Sequence, residues 1–129
     1  MNRSTFMASA TAVSVVCGLA ALLAPAELAG IFGVKVDDVT TSAARLLGAA
    51  YLGYAATNWF ARDVRDSSAQ RAIAIGNLAS WTLSLVVTLV AIGSGLGNAQ
   101  TWLLVAVEVP FAAAWGYFTF ADRSEAAAA

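Results

Sequence analysis

The sequence predicts an all-α fold: four membrane-crossing helices packed as one antiparallel bundle across residues 1–129, with both termini cytoplasmic. Three observations predict it. Hydrophobic residues make up 60% of the chain and charged residues only 12%, against about 25% charged in an ordinary soluble domain, and the mean hydropathy is +0.73. Four apolar runs, Phe6–Ala24, Ala43–Ala61, Ala72–Ile92 and Thr101–Phe120, each approach the ~20 residues that cross ~30 Å of hydrocarbon as a helix. The cations fall almost entirely on one side of those runs.

A helix is the physical choice for such runs, because lipid satisfies no open backbone N–H or C=O group. The first run follows Met1-Asn2-Arg3 and ends at Ala24-Pro25-Ala26, the outline of a secretory signal. It is long for a signal core and is read as a retained first span. The connection Pro25–Ser42 carries Glu27, Lys35, Asp37 and Asp38. Its apolar patch Leu28-Ala29-Gly30-Ile31-Phe32-Gly33-Val34 is expected at the interface. The second connection, RDVRDSSAQR over Arg62–Arg71, is short and polar, and the third, GSGLGNAQ over Gly93–Gln100, is a glycine-rich turn without charge. The tail ADRSEAAAA after Phe120 is expected to fray.

Arg3, Arg62, Arg65, Arg71 and Arg123 all fall on one side of this topology. Lys35 alone lies in the opposite connections, with Arg45 just inside a helix end. The positive-inside rule therefore places both termini and the Arg62–Arg71 connection in the cytoplasm. This corresponds to a multi-pass protein of a bacterial inner membrane.

Composition also excludes functions. The net charge is −1, so no basic face exists for phosphates, and nucleic acid is not an expected partner. The chain has no histidine and a single cysteine, Cys17. That leaves no internal disulfide, no CxxC redox pair and no thiolate metal cluster, and no cofactor is expected. The expected partners are the bilayer and either a second copy or another membrane subunit.

Helix association in lipid depends on close packing of small residues. Ala72, Gly76, Ser80, Ser84 and Thr88 recur every four residues in the third run, and Ala49, Gly53, Thr57 and Ala61 in the second. A shorter series, Ala10, Ser14 and Gly18, occurs in the first. The two longer stripes predict an antiparallel hairpin of the second and third spans. Asn58 and Asn77 flank the connecting loop at matched depth and are expected to form a polar contact between those helices. Trp59, Trp102 and Tyr117 fall near span ends, as an interfacial aromatic belt does. Tyr51, Tyr54, Trp81 and Trp115 lie deeper and are candidates either for lining a cavity or for bulk packing.

Glu108 is the one acid inside the four runs, and Arg45 the one base. At 1.5 Å per residue, Glu108 lies about 10 Å inside the outer end of the fourth span and Arg45 about 3 Å inside the same end of the second. A charged side chain at mid-bilayer costs about 2.5–3.5 kcal/mol even on a lenient scale, so a partner or access to water is expected. Pro110 removes the N–H that would bond the Ala106 carbonyl. A kink and a polar notch beside Glu108 are expected there, open to Ser, Thr or water. Three readings of Glu108 stay open: an ion pair with Arg45, a polar-ligand or proton site, and a docking point for another subunit.

The segments LLAPAELAGIFGV, AARLLGAAYLGYAATNWFARD and RAIAIGNLASW resemble those of small bacterial four-span proteins close in architecture to the DoxX-like group. The resemblance covers nearly the whole chain, and rests on Arg45 in ARLLG and Asn77 in GNL beyond what any four-span chain needs. It implies a four-helix membrane bundle and no catalytic residue. Small multidrug exporters also have four spans and an intramembrane glutamate, but theirs is on the first helix, and the run Phe6–Ala24 holds no charge. Three functions are compatible with the chain: an accessory or structural membrane protein associating through small-residue helix faces, a small-molecule or proton-coupled carrier using Glu108, and a membrane enzyme acting on a lipid or quinone. The enzyme has the least support, since no nucleophile–base constellation is visible.

Overall fold

The computed structural model describes residues 2–120; the tail, with Arg123, lies outside the described residues. Among these, every regular element is helical: α1 (Arg3–Leu23), α2 (Pro25–Ile31), α3 (Asp38–Ala61), α4 (Ser67–Gly93), a 3-10 turn (Ala99–Thr101) and α5 (Trp102–Phe120). The four long helices fall on the four apolar runs.

Capping residues set where they begin. Asn2, Asp37 and Asp66 each accept a hydrogen bond from the backbone N–H three residues on, at 2.8 Å from Thr5, 2.7 Å from Thr40 and 2.7 Å from Ala69. Each satisfies one of the four N–H groups that a helix start leaves open. These caps start α3 at Asp38 and α4 at Ser67, ahead of the apolar runs themselves.

The short helix α2 overlaps the apolar patch expected at the interface. Its signals are present: Pro25 at the first position, Glu27 in the first turn and a glycine just past the end. Gly33, at φ +72°, takes the left-handed conformation that closes a helix. The Val34 N–H then bonds the Ala29 carbonyl at 3.0 Å, and the Gly33 N–H bonds that of Gly30 at 3.1 Å. Gly95, at φ +74°, ends α4 in the same way, with Leu96 N–H on the Ala91 carbonyl at 2.9 Å.

The capping bonds make a pH prediction. The Thr40 N–H holds the exposed Asp37 carboxyl below its ordinary range, and the Ser68 hydroxyl and Ala69 N–H do the same for Asp66. A carboxyl depressed on folding contributes stability above its unfolded value of about 3.9, and that contribution is lost as pH falls through the lower folded value. Acidification from about pH 5 to pH 2 should therefore fray the starts of α3 and α4. A D37N/D66N protein, capped by amides that do not titrate, should lack this acid sensitivity. Exchange protection of the Thr40 and Ala69 amides, normalised for intrinsic rate, checks it; equal acid sensitivity in both proteins contradicts the capping account.

The chain divides into two units. The first holds α1, α2 and α3 with the segment Gly97–Ala99; the second holds α4 and α5.

In the first unit α1 and α3 pack along one another. Gly18 meets Gly48, and seven residues back on α1 the Thr11 hydroxyl reaches the Ala55 carbonyl, seven residues on in α3, at 3.4 Å. The pair is thus antiparallel. Its contact residues recur at sevens: Met7, Ser14 and Ala21 on α1, Gly48 and Ala55 on α3, all buried. A repeat of seven keeps one seam facing a partner when helices wrap at a shallow left-handed angle. At the crossing, a Cβ on Gly48 would lie 2.7 Å from the Gly18 carbonyl oxygen and 2.8 Å from the Leu22 nitrogen. The backbones touch, and only glycine fits. At one end of this unit the Asn98 side-chain amide donates to the Ile31 carbonyl at 3.0 Å, tying Gly97–Ala99 to the end of α2.

In the second unit α4 and α5 form a second antiparallel hairpin. Trp81 stacks on Phe111, with centroids 4.6 Å apart and planes at 17°, and the Leu78 side chain lies 3.8 Å from where a Gly116 Cβ would be. Sevens recur here too: Ala74, Trp81 and Thr88 on α4, Thr101, Glu108 and Trp115 across the turn and α5, all buried.

The four-residue stripes do not keep to one face of their helices. A step of four residues turns a helix by about 400°, a drift of about 40° each time. Over the five members from Ala72 to Thr88 the drift reaches about 160°, so the stripe winds half-way round α4. Ala72 and Gly76 are accordingly exposed, and Thr88 is buried. On α3, Ala49, Gly53 and Thr57 are exposed and Ala61 is buried. A Cβ added at Gly53 or Gly76 would meet nothing within 4 Å. The short series on α1 drifts less, and Ala10, Ser14 and Gly18 are all buried.

The outer faces are apolar. Leu46, Phe60, Leu83, Val87 and Leu103 are among the large exposed hydrophobics. Among the described residues three helices are long and apolar enough to cross a membrane: α1, α4 and the run Ala99–Phe120. Helix α3, with 24 residues, matches them in length but carries Asp38, Thr40, Thr41, Ser42, Arg45, Thr57 and Asn58. Several hydroxyls on these helices donate to the carbonyl four residues back, among them Thr57 to Gly53 at 3.0 Å and Thr119 to Trp115 at 2.7 Å. This is how a hydroxyl is accommodated where no water reaches it.

Candidate functional site: the Glu108 cluster

Glu108 sits on the inner seam of the α4–α5 hairpin and is 5% exposed. The helix places it there: Thr101 and Trp115, seven residues to either side, are buried with it. Its Oε1 accepts two hydrogen bonds from α4, from the Ser84 hydroxyl at 2.5 Å and the Thr88 hydroxyl at 3.0 Å. Its Oε2 is buried and has no hydrogen-bond partner among the described residues. One carboxyl oxygen is thus fixed by two donors and the other is left open. One helical turn along, Trp81 and Phe111 close the seam with their stacked rings.

Ser84 and Thr88 were singled out in the sequence as small residues for close packing, not as donors to the acid. The signal that finds them is depth. Residues equally far from a tight turn meet across the hairpin that it closes. Applied across Gly93–Gln100, that rule puts Glu108 opposite Leu85, next to Ser84 and within one helical turn of Thr88.

Pro110 and the carbonyl it frees do not share a face with Glu108. Two residues turn a helix by about 200°, so Pro110 and the freed Ala106 carbonyl lie on the far side of α5 from the acid. Ala106 and Pro110 are exposed while Glu108 is buried. Helix α5 continues through Pro110 to Phe120.

The other candidates are placed as follows. Arg45 is exposed on α3 in the first unit. Asn58 on α3 and Asn77 on α4 are both buried, and the Asn77 amide donates to the Ile73 carbonyl of its own helix at 3.0 Å. Trp115 is fully buried and Trp81 nearly so, whereas Tyr54 is exposed and Tyr51 half-buried. Trp59, Trp102 and Tyr117 are exposed near helix ends. The Arg62 guanidinium lies 3.5 Å from the centroid of the Trp59 ring and 3.2 Å from an Asp63 carboxyl oxygen, so a cation and an aromatic ring meet at the end of α3, as they do at a membrane interface. No cluster of metal-ligating side chains occurs among the described residues.

Three helices apolar enough to cross a membrane, apolar outer faces and hydroxyls bonded within their own helices describe a multi-pass helical membrane protein. Comparison with known protein families, curated proteins and solved structures returns no match for the chain.

Proposed function

We propose that the chain is a four-span protein of a bacterial inner membrane with an accessory or structural role, associating through its helix faces with a second copy or another membrane subunit. The apolar outer surface of both hairpins carries this reading: side chains such as Leu46, Phe60, Leu83 and Val87 have no place in water and offer broad contact to lipid or to another helix. Helix α3 is the fourth span. Its 24 residues reach about 36 Å, and its hydroxyls at Ser42 and Thr57 bond backward to Asp38 and Gly53. Both termini and the Arg62–Arg71 connection are cytoplasmic by the arginine bias, and on this first reading Arg45 is the partner proposed for Glu108. Purification in mild detergent with mass analysis tests the association. A homo-oligomer or a stoichiometric partner supports it, and a lone monomer across detergents and in native lipid discs contradicts it.

A second reading, a carrier or ligand-responsive protein using Glu108, is favoured by one observation. The open oxygen, Oε2, is buried in the seam, while the Ser84 and Thr88 hydroxyls are both taken up by Oε1. Nothing in hairpin packing requires an acid there.

A further inference from the structure

We infer that the Glu108 cluster is a binding site for a membrane-soluble primary amine, taken up as its ammonium ion. The inference rests on the second reading above and names the ligand class.

The argument counts acceptors and charges. Oε2 is buried without a donor. Ser84 and Thr88 each commit their hydroxyl proton to Oε1, which leaves each hydroxyl oxygen with lone pairs to offer. Three acceptors therefore belong to one cluster around the carboxyl: Oε2 of Glu108, the Ser84 hydroxyl oxygen and the Thr88 hydroxyl oxygen. A primary ammonium carries three N–H donors and one positive charge. It matches this set in number, and it matches the single acid in charge.

Other cations fit less well. A hard metal ion takes six or more oxygens, and this seam offers one carboxyl and two hydroxyls. A quaternary ammonium has no N–H to give to Oε2. The surroundings suit an organic body: the stacked Trp81–Phe111 pair lies one turn away, where ring faces attract an alkylammonium, and Val107 and Val109 beside the acid are exposed on the apolar surface. A ligand dissolved in the lipid thus meets the helix at the acid's own depth.

The test uses dansylcadaverine, a fluorescent primary amine, with the full chain in phosphatidylcholine nanodiscs. The readout is energy transfer from tryptophan to dansyl. Saturable transfer is expected, weakened about tenfold or more in Glu108→Gln and several-fold in Thr88→Val, which keeps the acid. The matching dansyl alcohol and trimethylammonium analogues should compete poorly, and sodium chloride should not displace the amine beyond ionic screening. Equal affinity in the native chain and both variants overturns the proposal. So does equal competition by the alcohol, or displacement by sodium at low concentration, which would make the site one for an inorganic cation. Should Glu108→Gln fail to fold, undiminished binding by a folded Thr88→Val protein still overturns it. Oligomeric state measured in the same discs keeps the outcomes separate: an assembled protein that ignores the amine removes the ligand site and leaves the accessory role, and an amine-binding monomer does the reverse.

Discussion

Gly48→Leu is expected to separate α1 from α3. An added Cβ alone would sit 2.7 Å from the Gly18 carbonyl oxygen and 2.8 Å from the Leu22 nitrogen. Both are backbone atoms, so no side-chain rotation relieves the clash and one helix must move. Overpacking typically costs about 1–3 kcal/mol, and a contact between rigid backbones belongs at the upper end. The crossing also loses the close approach on which helix association in lipid depends. Gly48→Ala should show the same effect in smaller measure. Gly18→Ala should be milder still, because two of its three nearest atoms belong to the flexible Leu52 side chain, at 3.0 Å. Gly53→Ala and Gly76→Ala are the controls: each added Cβ meets nothing within 4 Å, and alanine exceeds glycine in helix propensity by up to about 1 kcal/mol. Melting of the five variants in one detergent checks the series. A Gly48→Leu protein as stable as the native one refutes the α1–α3 crossing.

Removing the donors of Glu108 should produce the next largest effect, and it separates the partners of the acid. Thr88→Val takes away one of the two bonds to Oε1 and should cost about 1 kcal/mol. Glu108→Gln should cost at least as much, by placing an amide where two hydroxyls donate. The double variant should lose less than the sum, since residues in direct contact couple by about 0.5 kcal/mol or more. The same cycle run with Arg45→Gln tests the proposed ion pair. Coupling there means that Arg45 serves Oε2. Additivity with Arg45, beside coupling with Thr88, removes the pair and leaves Glu108 held by α4 alone.

The four long helices were legible because each is built on a run of about twenty apolar residues, which sequence shows openly. The helix starts were legible in principle as well: Asn2, Asp37 and Asp66 are capping residues in capping positions, and the apolar runs alone hid them. Partner choice was harder. The stripes containing Gly53 and Gly76 looked like packing faces because small residues recurred every four, yet a spacing of four drifts round the helix where a spacing of seven nearly holds its place. The sevens, Ala74, Trp81 and Thr88 against Thr101, Glu108 and Trp115, mix large, small and charged types, so composition does not reveal them. The donors to Glu108 went unseen for a related reason. The matched-depth argument was applied to Asn58 and Asn77 across one connection, and the glycine-rich turn at Gly93–Gln100 offers the same argument for Ser84, Thr88 and Glu108. Pro110 misled because nearness in sequence is not nearness on a helix; two residues apart is the opposite face.

The central claim is that α3 crosses the membrane together with α1, α4 and α5, and labelling with a membrane-impermeant maleimide tests it most directly. Cys17, the chain's one cysteine, is replaced by serine, and single cysteines are placed at Val36, Val64 and Leu96, beyond the ends of α3 and α4. In intact spheroplasts the cysteines at 36 and 96 should label from outside, and the cysteine at 64 should label only after permeabilisation. Labelling of positions 36 and 64 from the same side would show that α3 does not cross, and would contradict the four-span account.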